Sequence, residues 1–193
     1  MLHTSGTTQK HPLDRPIGKG KGEVSLSAFC LLYSELVQYH QSRVESIADL
    51  EMNLNNSGVD VGIRILELYS HRENGKSPKR EIRVLGILQF LATTMWKSLF
   101  GKNADSLEKS VEGENEYMIH EKDPITNTFV SVPRDMGAVN VAAYIAGIIR
   151  GVLEGANFPC EVTAHFVEEK TVFLVKFKKE VMQREAAFEQ AGR

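Results

Sequence analysis

The chain has 193 residues, of which 42% are apolar and 25% charged, and its formal net charge is −2. This length suits one domain with a full hydrophobic core, and the near-neutral charge argues against a general nucleic-acid-binding protein. No apolar run reaches the roughly 18 residues of a membrane span, and the N-terminus lacks the apolar core of a signal peptide. The two cysteines, Cys30 and Cys160, form no spaced motif, so we expect buried, reduced thiols in a cytosolic protein.

Residues 1–22 show no hydrophobic periodicity and carry four basic residues against one acidic residue. This composition predicts a flexible basic tail. The run from Gly18 to Gly22 departs from phosphate-loop spacing and follows no apolar strand, which favours a linker.

The segment from Leu26 to Arg43 is predicted to be a helix, because its apolar residues recur at spacings of three and four. Its polar residues form only one narrow stripe, whereas a surface helix normally has a wide polar face. We therefore predict that this helix is covered on two sides and that the chain is a poor monomer. The predicted partner-binding residues are Leu32, Tyr33, Leu36, Tyr39 and His40.

A second helix is predicted after Ser46, which has the character of an N-cap with Asp49 three residues later. The residues Asn55 to Gly58 resemble the end of that helix, so Gly58 is interpreted as its C-cap. A third helix is then predicted from Asp60 to Arg72.

Within this third helix, Gly62 is interpreted as a residue of close helix–helix contact, since a cap does not explain it. Arg64 follows at helical spacing between Asp60 and Glu67, and an ion pair with either acid is the simplest prediction.

A turn is expected at Asn74 to Pro78, followed by a long helix from Lys79 to Phe100 with Gly101 just beyond its end. Residues 102–115 are predicted to be a polar loop with a possible helical turn near Leu107.

Two hairpins and one apolar helix are predicted in the rest of the chain. The strands are 116–121 with 127–132 and 161–167 with 172–177, and the helix between the hairpins is 139–154. Gly147 and Gly151 in that helix again indicate close approach to a neighbour.

The order of elements favours a two-layer α+β domain of residues 23–180, in which helices pack on one face of a four-stranded antiparallel sheet. The predicted order is three helices, a hairpin, a helix and a hairpin. Residues 181–193 are predicted to be a charged, helix-prone extension that frays.

No catalytic, metal or cofactor site is predicted. The six histidines have no metal-ligand spacing, and no nucleophile motif is present. His40 is expected to be a hydrogen-bonded core or interface residue, and His120 and His165 to lie on an exposed sheet face. Basic residues at 79–80 and 178–179 are expected to be solvated.

Three separated segments carry a resemblance to a known family. They are Gly58–Glu67 with its Gly-x-x-x-Gly-x-Arg pattern, Glu23–Phe29 running into Ser34–Gln38, and Phe158–His165. Over about Glu23 to Glu180, the chain resembles the small subunits of the transport protein particle (TRAPP) vesicle-tethering complex.

The resemblance implies the same α+β fold and a non-catalytic role. It implies pairing with the central subunit of the complex through a helical heterodimer and contact with a neighbouring adaptor subunit. It further implies that the assembled core activates a Rab GTPase in ER-to-Golgi transport, so that the chain is cytoplasmic and peripheral at endoplasmic reticulum and cis-Golgi membranes.

One departure from the family affects lipid binding. The central subunit carries an acylated cysteine just before its long helix, but His71 to Pro78 contains no cysteine here, so we expect no acylation and no tightly held cofactor. A different hypothesis is a sensor of haem or lipid, because domains of similar hairpin–helix–hairpin order bind such molecules; a sensor would purify with its ligand.

Overall fold

The computed structural model describes residues 24–73, 80–128, 130–131 and 139–191. The predicted basic tail, the turn at 74–78, the strand end at 132–133 and the last two residues lie outside these ranges.

The helices begin with α1 (Leu26–Gln41) and α2 (Ile47–Glu73). A long helix follows, made of α3 (Val84–Phe90), a π turn (Leu91–Met95) and α4 (Trp96–Phe100) without a break. The last two helices are α5 (Ala143–Gly155) and α6 (Lys179–Ala191).

The strands are β1 (Ser106–Lys109), β2 (Glu116–Glu121), β3 (Cys160–Val167) and β4 (Lys170–Phe177). They form one sheet in the order β1-β2-β4-β3, and every neighbouring pair is antiparallel. The predicted α+β class and four-stranded antiparallel sheet are therefore confirmed.

The main core lies between one face of this sheet and the helices. Trp96 of the long helix contacts Phe173 of β4 with ring centroids 5.7 Å apart, and both side chains are buried. A second, smaller core cluster joins α1 to α2 and to the start of α5; its buried members are Tyr33, Leu50, Leu54, Val139, Val141 and Ala143.

The prediction of separate second and third helices is wrong, because α2 is one helix of 27 residues. Its start is as predicted, since the Asp49 N–H donates to Ser46 Oγ at 3.1 Å. Gly58 is therefore no C-cap but a buried residue within the helix. Packing against α5 outweighs the weak helix propensity of the Asn-Asn-Ser-Gly run.

The first hairpin differs from the prediction. The strand that pairs with β2 is β1, from the segment predicted to be a loop, and the described residues of 127–132 form no strand. Leu107 of β1 lies opposite Ile119 of β2 and packs against the core. Beyond β2, the Asn127 N–H donates to Pro124 O at 2.9 Å and closes a turn.

The long helix begins at Val84, later than predicted, and Glu185 of α6 defines this start. The Val84 N–H donates to Glu185 Oε2 at 3.0 Å, and Arg83 Nε donates to Glu185 Oε1 at 2.8 Å. At the other end Gly101 has a φ of 78°, which satisfies the expectation of a left-handed residue there.

The prediction of a fraying extension at 181–193 is wrong for the described part of α6, which packs on the domain. Val181 is buried in the main core, and Arg184 Nη2 donates to Asn157 O at 2.9 Å. The described part of α6 is thus docked on the domain.

Glu185→Ala is expected to lower the free energy of unfolding by about 1–2 kcal/mol, because it removes a helix cap and an ion pair together. Glu189→Ala is the matched control. Glu189 lies 3.8 Å from Arg83 with a side chain 65% exposed, against 15% for Glu185, so its loss should cost no more than about 0.5 kcal/mol. Chemical denaturation measures both variants, and equal effects would contradict the capping role.

Candidate protein-interaction surface

Helices α2 and α5 cross at very short range. Gly58 and Gly62 of α2 face Gly147 and Gly151 of α5, four residues apart on each helix. A Cβ added at any of the four would approach a backbone carbonyl oxygen of the facing helix more closely than real Cβ atoms do. The two backbones therefore touch directly, and only glycine fits at these positions.

The other two residues of the Gly-x-x-x-Gly-x-Arg pattern do not take part in this crossing. Arg64 and Glu67 are exposed, and within the described residues no ion pair joins Arg64 to Asp60 or Glu67. The predicted ion pair is therefore absent, and Arg64 extends into solvent at the outer side of α2.

The outward face of α1 carries an exposed apolar surface. Leu31 is 74% exposed, Leu32 is 73% exposed, and Tyr39, two turns further on, is 51% exposed. We call these three residues the α1 surface. Arg43 Cζ lies 3.7 Å from the centroid of the Tyr39 ring and shields one side of it.

Three of the five predicted partner-binding residues face inward. Tyr33 is only 3% exposed, and its hydroxyl donates to Val141 O at 2.6 Å. Burial raises the pKa of Tyr33 well above its ordinary value. Leu36 packs against the second core cluster, and His40 Nε2 lies 2.9 Å from Ser57 Oγ of α2.

Sequence reasoning identified Leu32 and Tyr39 as candidates but missed Leu31. Leu31 falls between Ser27 and Ser34 on the narrow polar stripe of α1, four residues before Glu35. A large apolar residue on a polar stripe was the available signal, because no described residue covers Leu31, which is 74% exposed.

The interior between the long helix and α5 is closely packed. The space there has a volume of about 10 Å³ and is lined by apolar residues, including Leu99, Ile145 and Val152. A space of this size holds one water molecule at most. It is too small for an acyl chain or a haem, so it gives no support to the sensor hypothesis at this place.

A buried carboxylate missed by the sequence analysis lies at one end of this interior. Glu121 of β2 accepts a hydrogen bond from Trp96 Nε1 at 2.9 Å and another from Lys102 Nζ. The bond to Glu121 raises the pKa of Lys102. Trp96 lies in α4, and Lys102 follows that helix directly. Their bonds to Glu121 of β2 therefore tie the end of the long helix to the sheet.

The described histidines and acidic residues form no group of three or more that could hold a metal ion. His165 is exposed as expected, with Nε2 2.7 Å from Thr163 Oγ1. His120 is only partly exposed and lies 3.8 Å from Glu108. In the described ranges, no helix has both the length and the hydrophobicity to cross a membrane.

The two cysteines differ in their surroundings. Cys160 is buried at the start of β3, and burial raises the pKa of its thiol to about 12. Cys30 of α1 is half-buried, which departs from the expectation that both thiols are buried. Both are free thiols.

Cys160 is expected to resist alkylation by iodoacetamide at about pH 7.5 in the folded chain, because the thiolate is the reactive form and burial suppresses it. Its modification rate should rise with pH up to about 12 or after unfolding. Peptide mass spectrometry follows Cys160 and Cys30 separately in one sample. Modification of Cys160 in the folded protein as fast as in urea would contradict its burial.

Comparison with known proteins identifies the class to which this fold belongs. Residues 29–178 match the family described as transport protein particle (TRAPP) component, so the chain belongs to that family.

Curated relatives agree with this assignment. The chain is 49% identical over 180 residues to Trafficking protein particle complex subunit 5 of Dictyostelium discoideum, covering 90% of this chain and 96% of that protein. It is 44% identical over 177 residues to the human protein of the same name, covering 92% and 93%. Subunit 31 of Saccharomyces cerevisiae is 28% identical over 227 residues, covering 84% and 79%. The chain is therefore a homologue of subunit 5, within the family that its sequence pattern suggested.

A solved structure agrees at the level of the fold. The crystal structure of a trafficking protein particle complex subunit 3 from Naegleria fowleri, covalently bound to palmitic acid, superposes with a TM-score of 0.68 at 21% identity. The match covers 80% of this chain and 95% of that one.

Proposed function

We propose that this chain is a non-catalytic core subunit of the TRAPP complex and acts in ER-to-Golgi vesicle transport. The observation that carries the proposal is the α1 surface, in a chain homologous to subunit 5 over nearly its whole length. Leu31 and Leu32 are about three-quarters exposed on a helix whose other face packs into the core. Adjacent exposed leucines on a rigid helix fit a partner that covers them.

The partner is the central subunit of the complex, and the contact is a helical heterodimer with α1 at its centre. The opposite side of α1 is fixed by the Tyr33 hydroxyl bond and the second core cluster, so the α1 surface is presented on a preorganised support. A neighbouring adaptor subunit binds elsewhere on the chain. Through the assembled complex, the chain is peripheral at endoplasmic reticulum and cis-Golgi membranes.

Light scattering of the purified full chain tests the pairing. Alone, the chain is expected to self-associate; co-expressed with the central subunit, it should elute as a complex with one copy of each. A monodisperse monomer that does not bind the central subunit would contradict the proposal.

The chain alone is expected not to accelerate nucleotide release from a Rab GTPase, because the proposed role is to complete the assembly. Exchange requires an element that displaces the contacts of the phosphates and Mg²⁺ with the switch loops. Release of a fluorescent nucleotide should be followed with the chain alone, with the full core, and with the core assembled without this chain. Acceleration by the chain alone would contradict a subunit-only role.

A further inference from the structure

A half-open cavity lies between the C-terminal part of α2 and the outer side of the long helix, away from the α1 surface. Its volume is about 600 Å³. Cavities of this size hold small organic ligands. None of the interactions proposed above uses it.

Two cations line the cavity. Arg72 of α2 and Lys97 of α4 both line it, and no carboxylate does so among the described residues. Neither cation forms an ion pair within the described ranges. Arg72 Nε is also buried without a hydrogen-bond partner there, and a buried donor of this kind needs an acceptor.

The helix dipoles explain only in part why these two cations lie at the cavity. Arg72 lies in the last turn of α2 and Lys97 near the end of α4, where a cation is favoured by the partial negative charge of the helix terminus. The dipole does not supply a partner for the buried Arg72 Nε. It also does not explain why both cations border one cavity.

The π turn of the long helix forms another wall. Thr93 and Thr94 lie in this turn and line the cavity, while Leu91 and Met95 of the same turn are buried in the core. Thr93 Oγ1 donates to Gln89 O at 2.7 Å. Single π turns occur often at functional sites, and this one places two hydroxyl groups at the cavity without opening the core.

The part of the α2 wall before Arg72 is apolar, whereas Ser98 and Asn103 add polar groups elsewhere in the lining. Ile65, Leu68 and Tyr69 of α2 form the apolar part, and Leu68 is 40% exposed. Tyr69 is held by an edge contact with Phe90, with ring centroids 5.3 Å apart. The cavity is therefore lined by two cations, by polar side chains and by an apolar surface.

We propose that this cavity binds an anionic amphiphile, with a phosphate monoester head at Arg72 and Lys97 and an apolar body along Ile65, Leu68 and Tyr69. A guanidinium, an ammonium and the Thr94 hydroxyl together match the oxygens of a phosphate, whereas the Thr93 O–H is already donated to Gln89 O. The apolar wall selects against inorganic phosphate, which has nothing to bury there.

Calorimetric titration of the full chain, purified with its partner, tests this site with three probes. Short-chain dihexanoyl phosphatidic acid carries both features, dihexanoyl phosphatidylcholine lacks the net negative charge, and inorganic phosphate lacks the apolar body. Phosphatidic acid is expected to bind at least about tenfold more tightly than either of the others. Lys97→Gln and Arg72→Gln should each weaken its binding by about tenfold.

Lys170→Gln is the matched control, because Lys170 is an exposed lysine at the start of β4, and it should leave the affinity unchanged. Lys97 is exposed, so its variant should fold normally even if the Arg72 variant does not. If the complex floats with phosphatidylcholine vesicles that contain phosphatidic acid, the natural ligand is a membrane lipid. If it binds the short-chain lipid but does not float with the vesicles, the natural ligand is a soluble amphiphile. Lack of saturable binding, equal binding of inorganic phosphate, or unchanged binding by Lys97→Gln would each overturn the proposal.

Discussion

Gly151→Ala is expected to lower the free energy of unfolding by about 2–3 kcal/mol, although alanine is the better helix former. The added methyl group would collide with the backbone of Val59, where a Cβ would lie close to both the carbonyl carbon and oxygen. A backbone cannot rotate away as a side chain can, so α2 and α5 would have to separate. Separation would weaken the packing of both core clusters, because α2 contributes to each.

Gly155→Ala is the matched control for this variant. Gly155 lies one turn further along the same helix, where an added Cβ would meet only side-chain atoms of Leu66 at 3.2 Å and Ile63 at 3.9 Å. This variant should be neutral or stabilised by up to about 1 kcal/mol. Thermal and chemical unfolding measure both. If Gly151→Ala melts at or above the wild-type temperature, the two helices do not pack through their backbones.

Leu32→Asp is expected to weaken binding to the central subunit by about 100-fold or more, since it places a charge in a surface that must lose its water. The side chain is 73% exposed in the chain alone, so the fold should be retained with little loss of stability. Titration of the purified variant with the central subunit gives the affinity, and circular dichroism checks the fold.

Leu85→Asp is the control for an exposed leucine outside α1. Leu85 is 55% exposed near the start of the long helix, and its replacement should leave the affinity unchanged. Loss of binding in both variants, or in neither, would show that the α1 surface is not part of the interface. Leu36→Asp is a poorer probe, because Leu36 packs in the second core cluster and its loss would unfold part of α1.

The fold class was predictable because its signals are local. Alternation along β3 and β4, and the apolar periodicity of α5 and the long helix, follow directly from burial on one face. The glycine pairs on α2 and α5 were also informative, since four-residue spacing places them on one side of each helix.

The errors arose where distant contacts decided the local structure. The Asn55 to Gly58 run resembles a helix end, but α5 packs against it and α2 continues. The short strand β1 has no alternation of its own and exists because β2 offers it a free edge. The start of the long helix depends on Glu185, about 100 residues later in the chain.

The candidate interaction surface on α1 was only partly predictable for the same reason. Periodicity showed that α1 is apolar on nearly all sides, but it could not assign which side the chain covers for itself. The hydroxyl of Tyr33 bonds to Val141, 108 residues away, and this contact turns Leu31 and Leu32 outward. The cavity beside Arg72 and Lys97 likewise combines residues from two helices that no sequence motif connects.

Quantitative mass spectrometry of complexes purified with the tagged chain from eukaryotic cells at physiological salt tests the central claim most directly. The account predicts the other TRAPP subunits in fixed stoichiometry with the wild-type chain, and their loss with Leu32→Asp but not with Leu85→Asp. Recovery of the wild-type chain without TRAPP subunits would contradict it.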